Sequence, residues 1–207
     1  MRQTDKLESS LTRCLRSRME KAHLSWADFP REPVEIVVFG SRAAGMSRRA
    51  SDLDILAVGN HASRVKRFGI DLISIPATDL ASPTWLGSEL AGHISRYGLW
   101  LKGSGAWRED VFVGHEAAAQ KERRLVSLVR SVKHSWAKLH PAFQLKYRVT
   151  VRRELQRLAL LRAAIPIPPT RVLDLEWRHR KSGRNPFGPA SIPIFDEAGE
   201  FLLRVID

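Results

Sequence analysis

The feature that most constrains the fold is a set of three short apolar runs between residues 34 and 75. The runs are Val34–Phe39, Leu53–Val58 and Ile70–Ile75. Each is rich in Val, Ile or Leu and is bounded by turn-forming residues, which is typical of buried strands. We therefore expect a small β-sheet in this part of the chain.

Acidic and apolar residues alternate where the second run begins, in the order Asp52, Leu53, Asp54, Ile55. Successive side chains of a strand point to opposite faces, so both carboxylates are expected on one face. Two carboxylates in one cleft repel each other unless a cation lies between them, and hard oxygen ligands suit Mg²⁺. Asp71 joins them if the third strand pairs beside the second. Three carboxylates and two metal ions would fit an in-line displacement at phosphorus.

The first run is followed by Gly40 and Ser41, a pair of residues suited to binding a phosphate group. A glycine lets a phosphate approach the backbone, and a helix that follows would add N–H groups and a positive dipole. We expect a short helix between Ser41 and Ser51. Arg42 either contacts a phosphate or is solvated.

The remaining chain is predicted to be largely helical, because its apolar residues recur at helical spacing. The predicted helices cover residues 5–22, 86–101, 109–139 and 141–165. The first of them would bury Cys14. The tail after Thr170 is mixed, with an exposed loop expected at residues 178–188 and a final strand at residues 201–206.

Positive charge is concentrated in one part of the chain. The formal net charge is +12, and residues 121–184 hold 17 basic residues against 4 acidic ones. Such a field favours RNA or an acidic protein partner, although solvated helix faces are the other interpretation. The single cysteine, Cys14, excludes an intrachain disulfide and favours a reducing cytoplasm. We expect no membrane segment and no secretory signal.

Three pieces of the chain together resemble the DNA polymerase β-like nucleotidyltransferase superfamily, especially its small members, the minimal nucleotidyltransferases. The pieces are Phe39-Gly40-Ser41, then after a ten-residue spacer Ser51-Asp52-Leu53-Asp54-Ile55, and Ile70-Asp71-Leu72. The resemblance implies that Asp52, Asp54 and Asp71 bind two Mg²⁺ ions and carry catalysis. It implies that Asp71 also helps to deprotonate the acceptor. Gly40 and Ser41 would hold the triphosphate, and Arg42 and Ser51 are assigned to the same nucleotide site.

The fold expected on this basis is α+β, with a small mixed sheet flanked by helices and a helical, basic C-terminal half. We expect a nucleotidyltransferase domain at residues 1–105, a helical region at residues 106–165 and a mixed basic tail at residues 166–207, packed on the rest.

The expected reaction transfers a nucleoside monophosphate from a nucleoside triphosphate, with ATP as the expected nucleotide, to a macromolecular acceptor. RNA and protein, including a toxin partner, are equal candidates for that acceptor. A polycationic aminoglycoside fits the basic half of the chain poorly. The alternatives are a non-catalytic antitoxin or nucleic-acid-binding module that retains the fold, and an enzyme that modifies a small-molecule antibiotic.

Overall fold

The computed structural model describes residues 13, 15–21 and 32–181. The strands are β1 (Glu35–Phe39), β2 (Leu53–Gly59), β3 (Ser63–Arg67), β4 (Ile70–Pro76) and β5 (Leu99–Lys102). The helices are α1 (residues 15–21), α2 (Gly40–Ala43), α3 (Pro83–Leu86), α4 (Glu89–Tyr97), α5 (His115–Lys133), α6 (Pro141–Arg162) and α7 (Thr170–Lys181). Short 3-10 turns lie at Ala77–Asp79, Ala106–Asp110 and Trp136–Lys138. The predicted α+β class is confirmed.

The strands form one mixed sheet with the order β3-β4-β2-β1-β5. Strands β2 and β4 are parallel, whereas the other neighbouring pairs are antiparallel. The three predicted strands are confirmed as β1, β2 and β4. Strand β3 was not predicted, because its sequence SRVKR is mostly polar.

Two predictions for the later elements are wrong. The helix expected to reach residue 101 ends at Tyr97, where the N–H of Gly98 closes the last turn on the carbonyl of Ile94 at 2.7 Å. Leu99–Lys102 is instead the edge strand β5, paired with β1. The tail is more regular than expected, because α7 covers the first residues of the loop predicted at 178–188. The predicted strand at 201–206 and the burial of Cys14 lie outside the described residues.

The chain divides into two compact units, one formed by Met1–Leu86 with Leu90–Phe112 and the other by Gly87–Glu89 with Val113–Asp207. The sheet lies in the first unit and is buried on both faces. One face packs Leu53, Ile55 and Ile70 against Leu15 and Met19 of α1. Each sheet face is thus covered by apolar side chains, which is the main source of its stability.

The other face of the sheet packs against α3 and α4. Val37 and Leu56 of the sheet contact Ile94 of α4 and the tryptophans Trp85 and Trp107. The two indole rings meet edge to face, with centroids 5.3 Å apart. This second core also supports the end of the sheet at which the acidic residues lie.

In the second unit, α5 and α6 share an apolar core. Leu125 and Val129 of α5 contact Val151, Leu155 and Leu158 of α6. Helix α6 begins at the predicted Pro141, which is favoured in the first turn of a helix because it needs no N–H partner there. None of the described helices combines the length and the apolar character that a membrane crossing requires.

Glu35 is a buried carboxylate at the start of β1, in the first unit. It accepts hydrogen bonds from the backbone N–H of Gly105 at 3.0 Å, from Trp107 Nε1 at 2.9 Å and from Trp100 Nε1 at 3.2 Å. These bonds satisfy the buried charge and fix the segment that follows β5 against the sheet.

We predict that Glu35→Ala lowers the free energy of unfolding by about 2–4 kcal/mol, because buried N–H donors left without an acceptor cost about 1–3 kcal/mol each. The exposed Glu109 provides a matched control, and Glu109→Ala should change stability by less than about 0.5 kcal/mol. Urea unfolding followed by tryptophan fluorescence measures both. Equal midpoints for the two variants would contradict the assigned role of Glu35.

Candidate active site

Four strands place a row of paired residues across one end of the sheet. Phe39 of β1 pairs with Asp54 of β2, and Asp54 pairs with Asp71 of β4. Asp71 in turn pairs with Lys66 of β3. Directly paired residues project to the same face, so Asp54, Asp71 and Lys66 share one face. The parallel pairing of β2 with β4 is the condition on which the sequence prediction for Asp71 depended.

Two basic side chains of β3 contact these carboxylates. Arg64 donates through Nε to Asp71 Oδ1 at 2.9 Å and through Nη2 to Asp71 Oδ2 at 2.7 Å. Lys66 Nζ lies 3.7 Å from Asp71 Oδ2 and 3.6 Å from Asp52 Oδ2. The Asp71 side chain is 8% exposed, whereas those of Arg64 and Lys66 are 63% and 64% exposed. A buried carboxylate is therefore covered by two cations that reach solvent.

The shifts in pKa show where negative charge remains in excess. Burial and the neighbouring charges of Asp71 and Asp52 raise the pKa of Asp54 to about 6. Hydrogen bonds from Arg64 lower the pKa of Asp71 below its ordinary value. The carboxylate of Asp54 thus remains poorly compensated even with Arg64 and Lys66 in place, and a bound cation would relieve this.

Gly40 begins the turn after β1, and its backbone lies against the carboxylate of Asp54. Its φ of +70° lies in the region that favours glycine, and a Cβ placed on it would collide with the carboxylate of Asp54. The predicted short helix begins here as α2, with Ser41 half-buried in its single turn. A helix of four residues has a weak dipole, so the backbone approach at Gly40 is the more important feature for a phosphate.

Arg42 and Ser51, which were also predicted to contact the nucleotide, make local contacts in this structure. Arg42 donates from Nε to the carbonyl of Asp52 at 3.2 Å and from Nη2 to that of Ser51 at 2.7 Å. The hydroxyl of Ser51 accepts a hydrogen bond from the backbone N–H of Arg48 at 2.8 Å. Arg42 therefore ties α2 to the residues before β2 and helps to position Asp52.

The donor atoms of Asp52 and Asp54 fit a divalent metal ion. Carboxylate oxygens are the hard ligands that Mg²⁺ prefers, and Asp54 carries uncompensated charge. As the side chains stand, however, no three acidic, histidine or cysteine residues among those described form a metal-binding group. Both oxygens of Asp71 are directed to Arg64. The residues therefore fit a metal at Asp52 and Asp54, and at Asp71 only once Arg64 moves away.

Arg64 and Lys66 were missed by the sequence analysis. The signal that could have found them is the alternation of Arg64, Val65 and Lys66, with two cations on one face and a core residue on the other. No element was predicted between the strands that end at Val58 and begin at Ile70.

A mixed sheet that holds a glycine turn against paired carboxylates can bind the phosphates of a nucleotide when a cation lies between them. Residues 24–85, which include this whole cluster, match the model of the nucleotidyltransferase domain family. The resemblance predicted from the sequence is confirmed, and residues 24–85 form a nucleotidyltransferase domain. Members of this family generally use a nucleoside triphosphate and a divalent metal ion.

Comparisons of the whole chain add little to this result. A search of curated proteins finds no match. Among solved structures, the chain is similar to a nucleotidyltransferase-like protein from Exiguobacterium sibiricum, with 10% sequence identity and a TM-score of 0.36. The alignment covers 93% of this chain and 74% of that one. The similarity is too low to carry a conclusion about function.

The basic region of the second unit contains many internal ion pairs. Arg152 and Arg153 both contact Asp174, with shortest distances of 2.7 Å. Arg157 Nη1 lies 2.6 Å from Glu154 Oε1, and Arg157 Nη2 donates a hydrogen bond to the hydroxyl of Thr170 at 3.0 Å. All three arginine side chains are at most one-third exposed. These arginines therefore help to hold α6 and α7 together.

We predict that Gly40→Ala abolishes nucleotidyl transfer, because the new Cβ would displace the Asp54 carboxylate. Gly45 provides a matched control, since its φ is +67° and a Cβ there would meet no atom within 4 Å. Both variants should lose roughly 1–2 kcal/mol of stability from backbone strain. Only Gly40→Ala should also lose activity, measured as pyrophosphate release, and comparable activity in the two variants would contradict the assignment.

The raised pKa of Asp54 predicts a pH-dependent effect of Asp54→Asn on stability. The folded-state pKa of about 6 lies above the unfolded value of 3.8, so the folded protein binds a proton more readily between those values. The contribution of Asp54 to stability therefore falls as pH rises through this window and stays low above it. Removing the charge should stabilise the protein by about 1–2 kcal/mol at pH 8, allowing for solvent screening.

The advantage of Asp54→Asn should disappear towards pH 4, which urea unfolding in EDTA across the pH range would measure. The exposed Asp110 serves as the control, and Asp110→Asn should follow the parent at every pH. An Asp54→Asn variant that is less stable than the parent at pH 8 would show that Asp54 is not electrostatically unfavourable.

Proposed function

We propose that this chain is a Mg²⁺-dependent enzyme that transfers a nucleoside monophosphate from a nucleoside triphosphate, with ATP as the expected nucleotide, to a macromolecular acceptor. The observation that supports the proposal most directly is the contact of the Gly40 turn with Asp54, which is paired with Asp71. Phosphates at that turn would lie beside carboxylates, an arrangement that is favourable only with a cation between them.

Each residue of the site has a proposed role. Gly40 lets the triphosphate approach the backbone, and Ser41 supplies a hydroxyl beside it. Asp52 and Asp54 would hold the metal, which when bound would neutralise charge on the triphosphate. Arg42 keeps Asp52 in place through the carbonyls of the preceding segment.

Asp71 is proposed to help remove the proton of the acceptor hydroxyl. That hydroxyl oxygen forms a bond to the α-phosphorus, the bond to the leaving phosphate breaks, and pyrophosphate leaves. The hydrogen bonds from Arg64 lower the pKa of Asp71 and occupy its oxygens. Asp71 can therefore accept a proton only when the Arg64 side chain, which lies on β3, has moved away from its oxygens.

The acceptor is proposed to be RNA or a protein, including an acidic toxin partner, bound through the basic region 121–184. Because the arginines of α6 described above are paired internally, exposed residues must supply the contacts with a partner. Arg124 and Arg130 of α5 and Lys146 of α6 are exposed. A polyanion or an acidic protein would be attracted by this charge. A cytoplasmic location is proposed because the single cysteine suits a reducing compartment.

We predict that Asp52→Ala and Asp54→Ala each abolish transfer, because either change removes a proposed metal ligand. The protein would be incubated with each radiolabelled nucleoside triphosphate, Mg²⁺ and total cell extract. The parent and the control variant Asp110→Ala should transfer label to RNA or to protein, as resolved on denaturing gels with nuclease and protease treatment.

Transfer by either site variant, or by the parent in EDTA, would refute the proposed metal site. Label that enters only small molecules would instead favour the antibiotic-type alternative. A parent that transfers no label at all while binding RNA or a co-purified protein would favour the non-catalytic alternative.

A further inference from the structure

We propose that Arg64 is a positioning residue that occupies the oxygens of Asp71 and must leave them before a metal ion can bind there. Arg64 would thereby set the metal affinity of the site. This inference rests on the proposed function, since it requires that the carboxylates hold a divalent cation.

The contacts of Asp71 supply the first step of the argument. Its two oxygens accept two nearly parallel hydrogen bonds from one guanidinium, at 2.9 and 2.7 Å. This bidentate geometry is among the strongest that a carboxylate forms with a side chain. A metal ion would need at least one of those oxygens, so Arg64 and the metal compete for the same atoms.

Lys66 strengthens the same competition. Its ammonium lies within 4 Å of both Asp71 and Asp52, which is the position of a cation that bridges two carboxylates. Arg64 and Lys66 together thus supply positive charge that the cluster would otherwise take from a metal.

The position of β3 in the sheet allows Arg64 to leave. Among the strands of the described residues, β3 is at the edge of the sheet and pairs only with β4. The Arg64 side chain is 63% exposed, so the guanidinium can rotate into water without opening the core. Because the exposed partner is the guanidinium, a divalent cation can take its place at the buried Asp71 oxygens without leaving that carboxylate uncompensated.

Arg67 offers a matched control on the same strand. It is exposed, it carries the same charge, and the alternation of a strand directs it to the face opposite Arg64. Removing Arg67 changes the net charge equally but leaves the bonds to Asp71 intact. A difference between the two variants therefore measures the competition and not the overall charge.

The experiment measures Mn²⁺ binding to the nucleotide-free, full-length protein by calorimetry and by electron paramagnetic resonance. Arg64→Gln should bind Mn²⁺ on the order of tenfold more tightly than the parent, a usual size for coupling between two occupants. Arg67→Gln should stay within about twofold of the parent, because it does not touch the cluster. Arg64→Lys, which keeps the charge but loses the bidentate geometry, should be intermediate.

Parental or weaker Mn²⁺ affinity in Arg64→Gln would overturn the inference, as would an equal gain in Arg67→Gln. In either case the parent would still bind Mn²⁺, and Asp54→Ala would remove that binding, so the proposed function would stand. If neither the parent nor any variant binds Mn²⁺, the proposed metal site itself fails and the inference fails with it.

Discussion

Repulsion between carboxylates at one end of the sheet is the constraint on which the first unit depends. The parallel register of β2 and β4 sets Asp54 directly beside Asp71, and burial strengthens the interaction between them. Strand β3 supplies the compensating charge, through Arg64 and Lys66. Its only core contribution is the partly buried Val65. Charge complementarity with Asp71 and backbone pairing with β4 therefore account for the position of β3 in the sheet better than apolar burial does.

The sequence predicted those strands that are buried along most of their length, because a buried strand is a continuous apolar run. Strands β1, β2 and β4 are continuous apolar runs, and each is buried on both faces. Strand β5 could not be recognised, because Leu99 and Leu101 continue the apolar pattern of the preceding helix. Only the pairing with β1, more than 60 residues earlier in the sequence, makes this segment a strand. Tertiary contacts decide such short segments, and local spacing does not encode them.

The site was predictable to a similar extent. The positions of Gly40, Asp52 and Asp54 follow from a turn and an alternation, which are local features. The position of Asp71 depends on strand order, which the sequence left as a condition and the sheet fulfils. The contacts of Arg42 depend on the path of the loop before β2, and they direct its guanidinium to two carbonyls of that loop. An arginine is well suited to binding phosphate, but the residue type of Arg42 did not reveal that its guanidinium bonds to backbone carbonyls.

In the basic half of the chain, many of the positive charges are in ion pairs, so the net charge alone does not tell how much charge is available to a partner. Glu154 contacts Lys121 and Arg157, and Asp174 contacts Arg152 and Arg153, so each acid holds two cations. Lys121 also contacts Glu89, with its Nζ 2.6 Å from Oε2, so that group is balanced. The surplus positive charge at Asp174 is held between α6 and α7 and is partly desolvated. Moving such a cation to a phosphate would break an existing pair and cost desolvation a second time. Charge that recognises a partner must therefore come from side chains that are already exposed, such as those of Arg124, Arg130 and Lys146.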